Sequence, residues 1–362
     1  MIRSEFSLDY TQSGFVVSAF SLAYGIGHVP AGWLADHIGR RIMITVGICG
    51  VALAGLLVGL SHTYIMMVVF LALMGLMGGG YHSAAPPLIS ASVDPNSQGR
   101  ALGIHMIGGS LSFFLAPLTA AAIAIIWGWR GSFVTLAVPT FLFGIVFYWF
   151  LGRIIETKKV EQREVADEEK VPPIAGRWRR LVVFIVLSAF TMAVFVSTTA
   201  FVPLYLVDHF GVSEEAAASF IAFLHIGGLW AGPLGGYLSD KLGRVPVILM
   251  VCSIAGPSLF MLNIVPFGIG IGTLLIVLGM LNYIRMPVTE AYIVNQTSEH
   301  RRSTVLGVYY FVSAEGGGLL TPFMGYLIDL FGFYNGFTIA GASVAAMTLI
   351  CSIGLWRTRA HN

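Results

Sequence analysis

The sequence predicts an all-α polytopic membrane protein with eleven membrane-spanning helices. Three observations predict it: an apolar composition, long stretches without a charged residue, and a one-sided distribution of basic residues. Of the 362 residues, 56% are hydrophobic and 10% are charged, where a soluble domain carries about 25% charged residues. Mean hydropathy is +0.82. At ~20 residues per crossing, the apolar residues suffice for about ten to twelve helices. This excludes a soluble enzyme, a disordered chain and a nucleic-acid-binding protein. The 20 Lys and Arg nearly balance the 18 Asp and Glu, so no net field points to a polyanionic partner. Cys49, Cys252 and Cys351 each lie inside an apolar run without a CxxC spacing. They read as small core residues, and neither a metal site nor a cofactor is expected.

Charge-free runs mark the spans in order. In the first half they are 10–35, 42–93, 101–129 and 131–152, and the second breaks at Ser61-His62-Thr63, giving five helices. In the second half they are 181–207, 216–239, 245–284 and 330–356, with 303–328 interrupted by Glu315 alone. The 245–284 run breaks near Asn263 to Pro266 and continues past Arg285 to about residue 297, which makes six helices. Residues 153–180 hold eight Lys/Arg and six Asp/Glu and are expected to form a mobile, partly helical linker. With that linker in the cytoplasm, 17 of the 20 basic residues fall on the cytoplasmic side. That is the bias that sets membrane orientation. The exceptions are Arg3, Arg130 and Arg285. The C-terminus is then cytoplasmic, the N-terminus extracellular, and the compartment a plasma or inner membrane.

The two halves repeat at an offset of 204 residues. Gly32, Asp36, Gly39 and Arg40 in GWLADHIGR return as Gly236, Asp240, Gly243 and Arg244 in GYLSDKLGR. Ala101-Leu102-Gly103 matches Val305-Leu306-Gly307, and Trp127-Gly128-Trp129 matches Phe331-Gly332-Phe333. The repeat has one orientation in both halves, so its axis runs along the membrane normal. GWLADHIGRR and its echo closely resemble the loop signature of the major facilitator superfamily, and the repeat with a charged central linker fits that family's two six-helix bundles. The resemblance covers essentially the whole chain. It implies an N-terminal bundle at 1–152, the linker at 153–180 and a C-terminal bundle at 181–362. Against the family's twelve-helix plan, the helix that precedes SLDYTQSGFVVSAFSLAYG is absent from this sequence, and Met1 is expected to be an internal methionine.

Gly32 and Gly236 sit near helix ends, where the missing side chain permits close backbone approach. Asp36 and Asp240 are expected to face the positive end of a neighbouring helix, with Arg40, Arg41 and Arg244 as basic partners. The resemblance implies that these contacts latch the cytoplasmic side and favour the outward-open state. The plainer alternative is a tight loop that obeys the basic-residue bias.

An ionisable group at bilayer depth is costly and therefore a functional candidate. Counting the first helix present as helix 2 of the family plan, His28 lies on helix 2, His82 on helix 4, His105 on helix 5 and His225 on helix 8. Arg285 and Glu290 lie on helix 10, and Glu315 on helix 11. Helices 3, 6, 9 and 12, which the resemblance makes outer supports, carry none. Arg285 is expected near mid-membrane, beside the helix breaker Pro287, and keeps its proton there. His82 is nearly its equivalent in the other half, and the two suit an anionic substrate with proton coupling. Glu315 is expected to pair with Arg285 when the site is empty. Glu290, five residues on, is turned about 140° away on a straight helix. His28 and His105 read more simply as packing residues, and His225 reads either way.

The function this reading reaches is secondary transport of a small solute by alternating access, driven by gradients because nothing resembles an ATP-binding P-loop. A proton-coupled carrier of a mono- or dicarboxylate leads, with no cofactor, the lipid bilayer as its surroundings and a monomeric state. A proton-driven multidrug exporter is the alternative. The helix 4 Arg of many proton-coupled members is replaced by Leu71, and GGSLSFFLAPL departs from the exporter signature, while GGGYHSAAPP resembles fosmidomycin-resistance-type members. A non-transporting sensor on the same scaffold is a further alternative. No HExxH or GxSxG supports an intramembrane enzyme.

Overall fold

A computed structural model describes residues 2–8, 10–163 and 176–356. Most of the charged linker, at 164–175, lies outside the described residues. Regular structure among the described residues is entirely helical. Seven stretches are long and apolar enough to cross a membrane. Two of them, 95–153 and 299–355, each hold two helices that meet at a glycine with positive φ. The junctions are Gly128 (φ 69°, ψ 176°) and Gly332 (φ 75°, ψ 168°), 204 residues apart. Such a turn is open to glycine at little steric cost. With Tyr10–Ile38 and the broken run at 214–242, the described residues form eleven helical segments of membrane-crossing length. The 216–239 span, read as continuous from the sequence, is broken into Glu214–Phe220, Ala222–Ile226 and Gly228–Leu242, the last break falling at Gly227.

The chain divides into two compact units. One gathers Met1–Leu88, Leu115–Pro173 and Thr297–Phe311. Here the short helix Ile2–Glu5 leads into Leu8, which is buried with Val58, Met67, Leu71 and Trp129. The Glu5 carboxylate accepts from the Trp129 indole N–H at 2.6 Å and pairs with Arg130. Both partners favour the charged form, the indole most, and hold the Glu5 carboxyl below its usual range. Arg130 also donates to the Ser61 carbonyl at 2.6 Å, so it ties three stretches of the unit together.

The other unit gathers Ile89–Phe114, Ile174–Gln296 and Val312–Asn362. Its central helix is Ile269–Gln296, buried on every side from Tyr283 to Val294 apart from Met286. A helix apolar all round belongs in an interior, so the charges of Arg285 and Glu290 on it stand out. Arg177–Ala200 packs against it, and the Phe184 and Tyr292 rings stack at 3.9 Å.

Candidate functional site

Arg285 is 2% exposed. Its guanidinium donates to the Ser188 hydroxyl at 2.7 Å, the Ser188 carbonyl at 3.2 Å and the Asn282 amide oxygen at 3.0 Å, and touches the Met192 sulfur at 2.9 Å. It lines a cavity with Thr191, Phe195, Leu281 and Asn282. Pro287, two residues on, has no N–H to give the helical ladder at this level. The Ser188 hydroxyl also bonds that of Thr289 at 2.8 Å, so one short network links the helices Arg177–Ala200 and Ile269–Gln296. Glu290 is buried on the same helix. Glu315 lies half-buried on the 302–331 helix and His105 half-buried on the 98–127 helix. His225 meets the Tyr283 hydroxyl at 3.0 Å through Nδ1 and stacks on Phe113 at 5.5 Å.

In the first unit, His82 stands among rings. Tyr81 lies 5.4 Å away between centroids, and Tyr24 and Tyr310 lie at 6.0 Å each. His28 shares this box and is 1% exposed.

The repeated motif builds two seams. Asp36 accepts from the Ser303 N–H at 3.1 Å, the Thr304 N–H at 2.7 Å and the Thr304 hydroxyl at 2.8 Å. It therefore caps the helix that begins at Arg302, where free N–H groups and the dipole favour an anion. Arg40 donates to the Glu299 carbonyl at 2.6 Å and lies 3.7 Å from its carboxylate. Gly32 lies so close that a Cβ there would collide with the Ser303 carbonyl. Asp240 accepts from the Gly99 N–H at 3.0 Å and the Arg100 N–H at 2.9 Å, Arg244 lies 3.6 Å from it, and Gly236 abuts the Gly99 carbonyl. The turns that aim both aspartates are made at Gly39 (φ 102°) and Gly243 (φ 89°). Arg41 turns elsewhere: it donates to the Tyr148 carbonyl at 2.9 Å and stacks on the Tyr148 ring.

Some residues here escape a reading of the sequence. Asn295, with its amide oxygen toward Arg244, accepts from both guanidinium NH groups at 3.0 Å and meets Gln98. Ser303 and Thr304 are the 204-residue equivalents of Gly99 and Arg100, and that offset is the signal able to find them.

Residues 1–319 match the family model of the Major Facilitator Superfamily. The probable L-galactonate transporter of Escherichia coli K12 is 26% identical over 271 residues, 70% of this chain but only 60% of that protein. The hexuronate transporter of Bacillus subtilis 168 is 22% identical over 94% of this chain and 85% of its own. The multidrug resistance protein MdtG of Citrobacter koseri is 27% identical over 96% and 84%. The crystal structure of the human organic anion transporter MFSD10 superposes with a TM-score of 0.77 at 15% identity, covering 95% of this chain and 83% of that one, which shows a shared fold.

Proposed function

The chain belongs to the major facilitator superfamily, and from that premise we propose that it is a proton-coupled carrier of a small organic anion, a mono- or dicarboxylate. As a member it is a multi-pass membrane transporter of a small molecule and not an enzyme. The observation that carries the finer reading is Arg285, a guanidinium 2% exposed inside a membrane helix and lining a cavity. A guanidinium presents a flat fork of donors that matches a carboxylate. Relatives named for L-galactonate and hexuronate, both carboxylates, support the same substrate class.

In this reading Arg285 anchors the carboxylate and His82 takes part in proton transfer. Glu290, Glu315, His105 and His225 are the further polar groups of the pathway. Bundles 1–152 and 181–362 alternate access, and the Asp36 and Asp240 seams latch the cytoplasmic side. The protein works as a monomer in a plasma or inner membrane, with the linker 153–180 and the C-terminus in the cytoplasm.

The test is uptake of D-galacturonate into proteoliposomes under an inward proton gradient. Parent protein accumulates it, and Arg285→Gln lowers uptake by about thirtyfold or more, as removal of one partner from a buried charge pair does. The similarity to MdtG favours a second reading, proton-driven drug export. Extrusion of lipophilic cations by parent and variant alike, with no carboxylate uptake, overturns the first reading in favour of the second.

A further inference from the structure

We propose that His28, with His82 and Tyr310 beside it, is a proton-binding site that controls the Asp36 seam. This rests on the proton-coupled reading above and adds where the proton sits and what it moves.

The His28 Nδ1 lies 2.7 Å from the Tyr24 carbonyl, one helical turn back. A carbonyl only accepts, so Nδ1 carries the proton and Nε2 presents a lone pair. Nε2 is buried, and no hydrogen-bond partner for it exists among the described residues. An unsatisfied buried acceptor is destabilising, a cost that a purely packing role does not explain. Rings surround it: Tyr24 edge-on at 4.5 Å, Tyr310 at 5.2 Å and His82 at 6.3 Å between centroids.

The groups that face His28 come from three helices. Its own supplies Tyr24. Tyr64–Ala91 supplies His82 and Ser83, whose hydroxyl donates to the His28 carbonyl at 3.2 Å, with Tyr81 behind His82. The 302–331 helix supplies Tyr310. No carboxylate or cation among the described residues bonds to the ring. Asp36 stands eight residues along, about 12 Å of helix, and Arg40 lies beyond the end of that helix, past the turn at Gly39.

The same face forms the seam. His28 abuts Gly307, Gly32 abuts Ser303, and Asp36 caps Ser303 and Thr304, on successive turns of Tyr10–Ile38 against the start of the 302–331 helix. A proton taken from bulk water forms an N–H bond at Nε2 and leaves a cation with a second donor and no acceptor in the closed seam. Opening toward water supplies that acceptor, so protonation favours parting of the two helices. Release of the proton restores the lone pair and the closed form.

Two measurements in nanodiscs and proteoliposomes decide it. Amide hydrogen exchange at 26–34 and 303–311, corrected for intrinsic pH dependence and taken without substrate, is expected to be about tenfold faster at pH 5.5 than at pH 8. His28→Gln abolishes that difference, and His82→Gln reduces it. In vesicles, the ratio of proton-driven accumulation to counterflow falls about tenfold in His28→Gln. Exchange in the parent that ignores pH overturns the proposal, whether or not any variant folds, and so does a variant that keeps the parent ratio. If no carboxylate is carried, the substrate reading fails by itself, and the exchange measurement still decides the proton site.

Discussion

At the Asp36 seam the carboxylate accepts three hydrogen bonds among the described residues, and at the Asp240 seam two, although the backbones match residue for residue at an offset of 204. Both seams use a positive-φ glycine to aim the aspartate, a second glycine to admit a carbonyl, and two consecutive N–H groups of a capped helix. The difference lies in the side chains. Thr304 adds a hydroxyl to Asp36, whereas its equivalent Arg100 turns to the Ser97 hydroxyl. Arg40 meets the carbonyl and carboxylate of Glu299, whereas Arg244 meets the neutral amide of Asn295. His28 faces Gly307 in one seam, and Gly232 faces Gly103 in the other. Backbone geometry and an aspartate–arginine pair are the shared part of the device; the side chains differ in giving Arg40 a second, charged partner and Arg244 a neutral one.

The comparison breaks most visibly at the aspartates. Asp36→Ala strands three donors and is expected to weaken local protection at 299–307 by about 2–4 kcal/mol, read by hydrogen exchange. Asp240→Ala strands two and is expected to weaken 96–103 by about 1–3 kcal/mol. Equal losses would mean that the Thr304 hydroxyl adds nothing. Next come the glycines. Gly32→Ala and Gly236→Ala each push a methyl into a carbonyl, an overpacking effect of about 1–3 kcal/mol in thermal unfolding. Here the two seams should respond alike, and a clear inequality would show that the backbones are not equivalent.

Much of this was open to inspection in the sequence. Charge-free runs separate the helices because lipid tolerates no bare charge, and the 204-residue offset locates both aspartates and the glycine turns that aim them. An aspartate placed to meet the positive end of a helix follows from the motif. Which helix it meets does not, because a contact across 267 residues depends on packing that no local pattern encodes. The setting of Arg285 was hidden for the same reason: Ser188 and Met192 face it only through the mutual register of two helices. Asn295 and Gln98 carry no motif at all. His28 looked like a packing histidine, and only its buried Nε2 and ring neighbours set it apart.

Smaller substitutions sharpen the contrast. Thr304→Val removes one neutral-to-charged hydrogen bond and is expected to weaken the Asp36 seam by about 1.5 kcal/mol, the low end for a bond to a charged group, with protection at 96–103 unchanged in the same exchange experiment.

Glu299→Gln is the finest probe. The Glu299 side chain is 69% exposed and lies 3.7 Å from Arg40, so solvent screens the pair. Exposed pairs contribute about 0.2–1 kcal/mol, and the Arg40 bond to the Glu299 backbone carbonyl survives the change. The expected loss at 299–307 is therefore a few tenths of a kcal/mol at low salt and vanishes in about 1 M salt, where screening acts within about 3 Å. Asn295→Ala gives the matching test at the other seam. Its amide is neutral, so its effect on 96–103 should be the same at low and high salt. A salt response at Asn295, or none at Glu299, would erase the distinction between the charged and the neutral second partner of the two arginines and leave the seams alike in chemistry as well as in backbone.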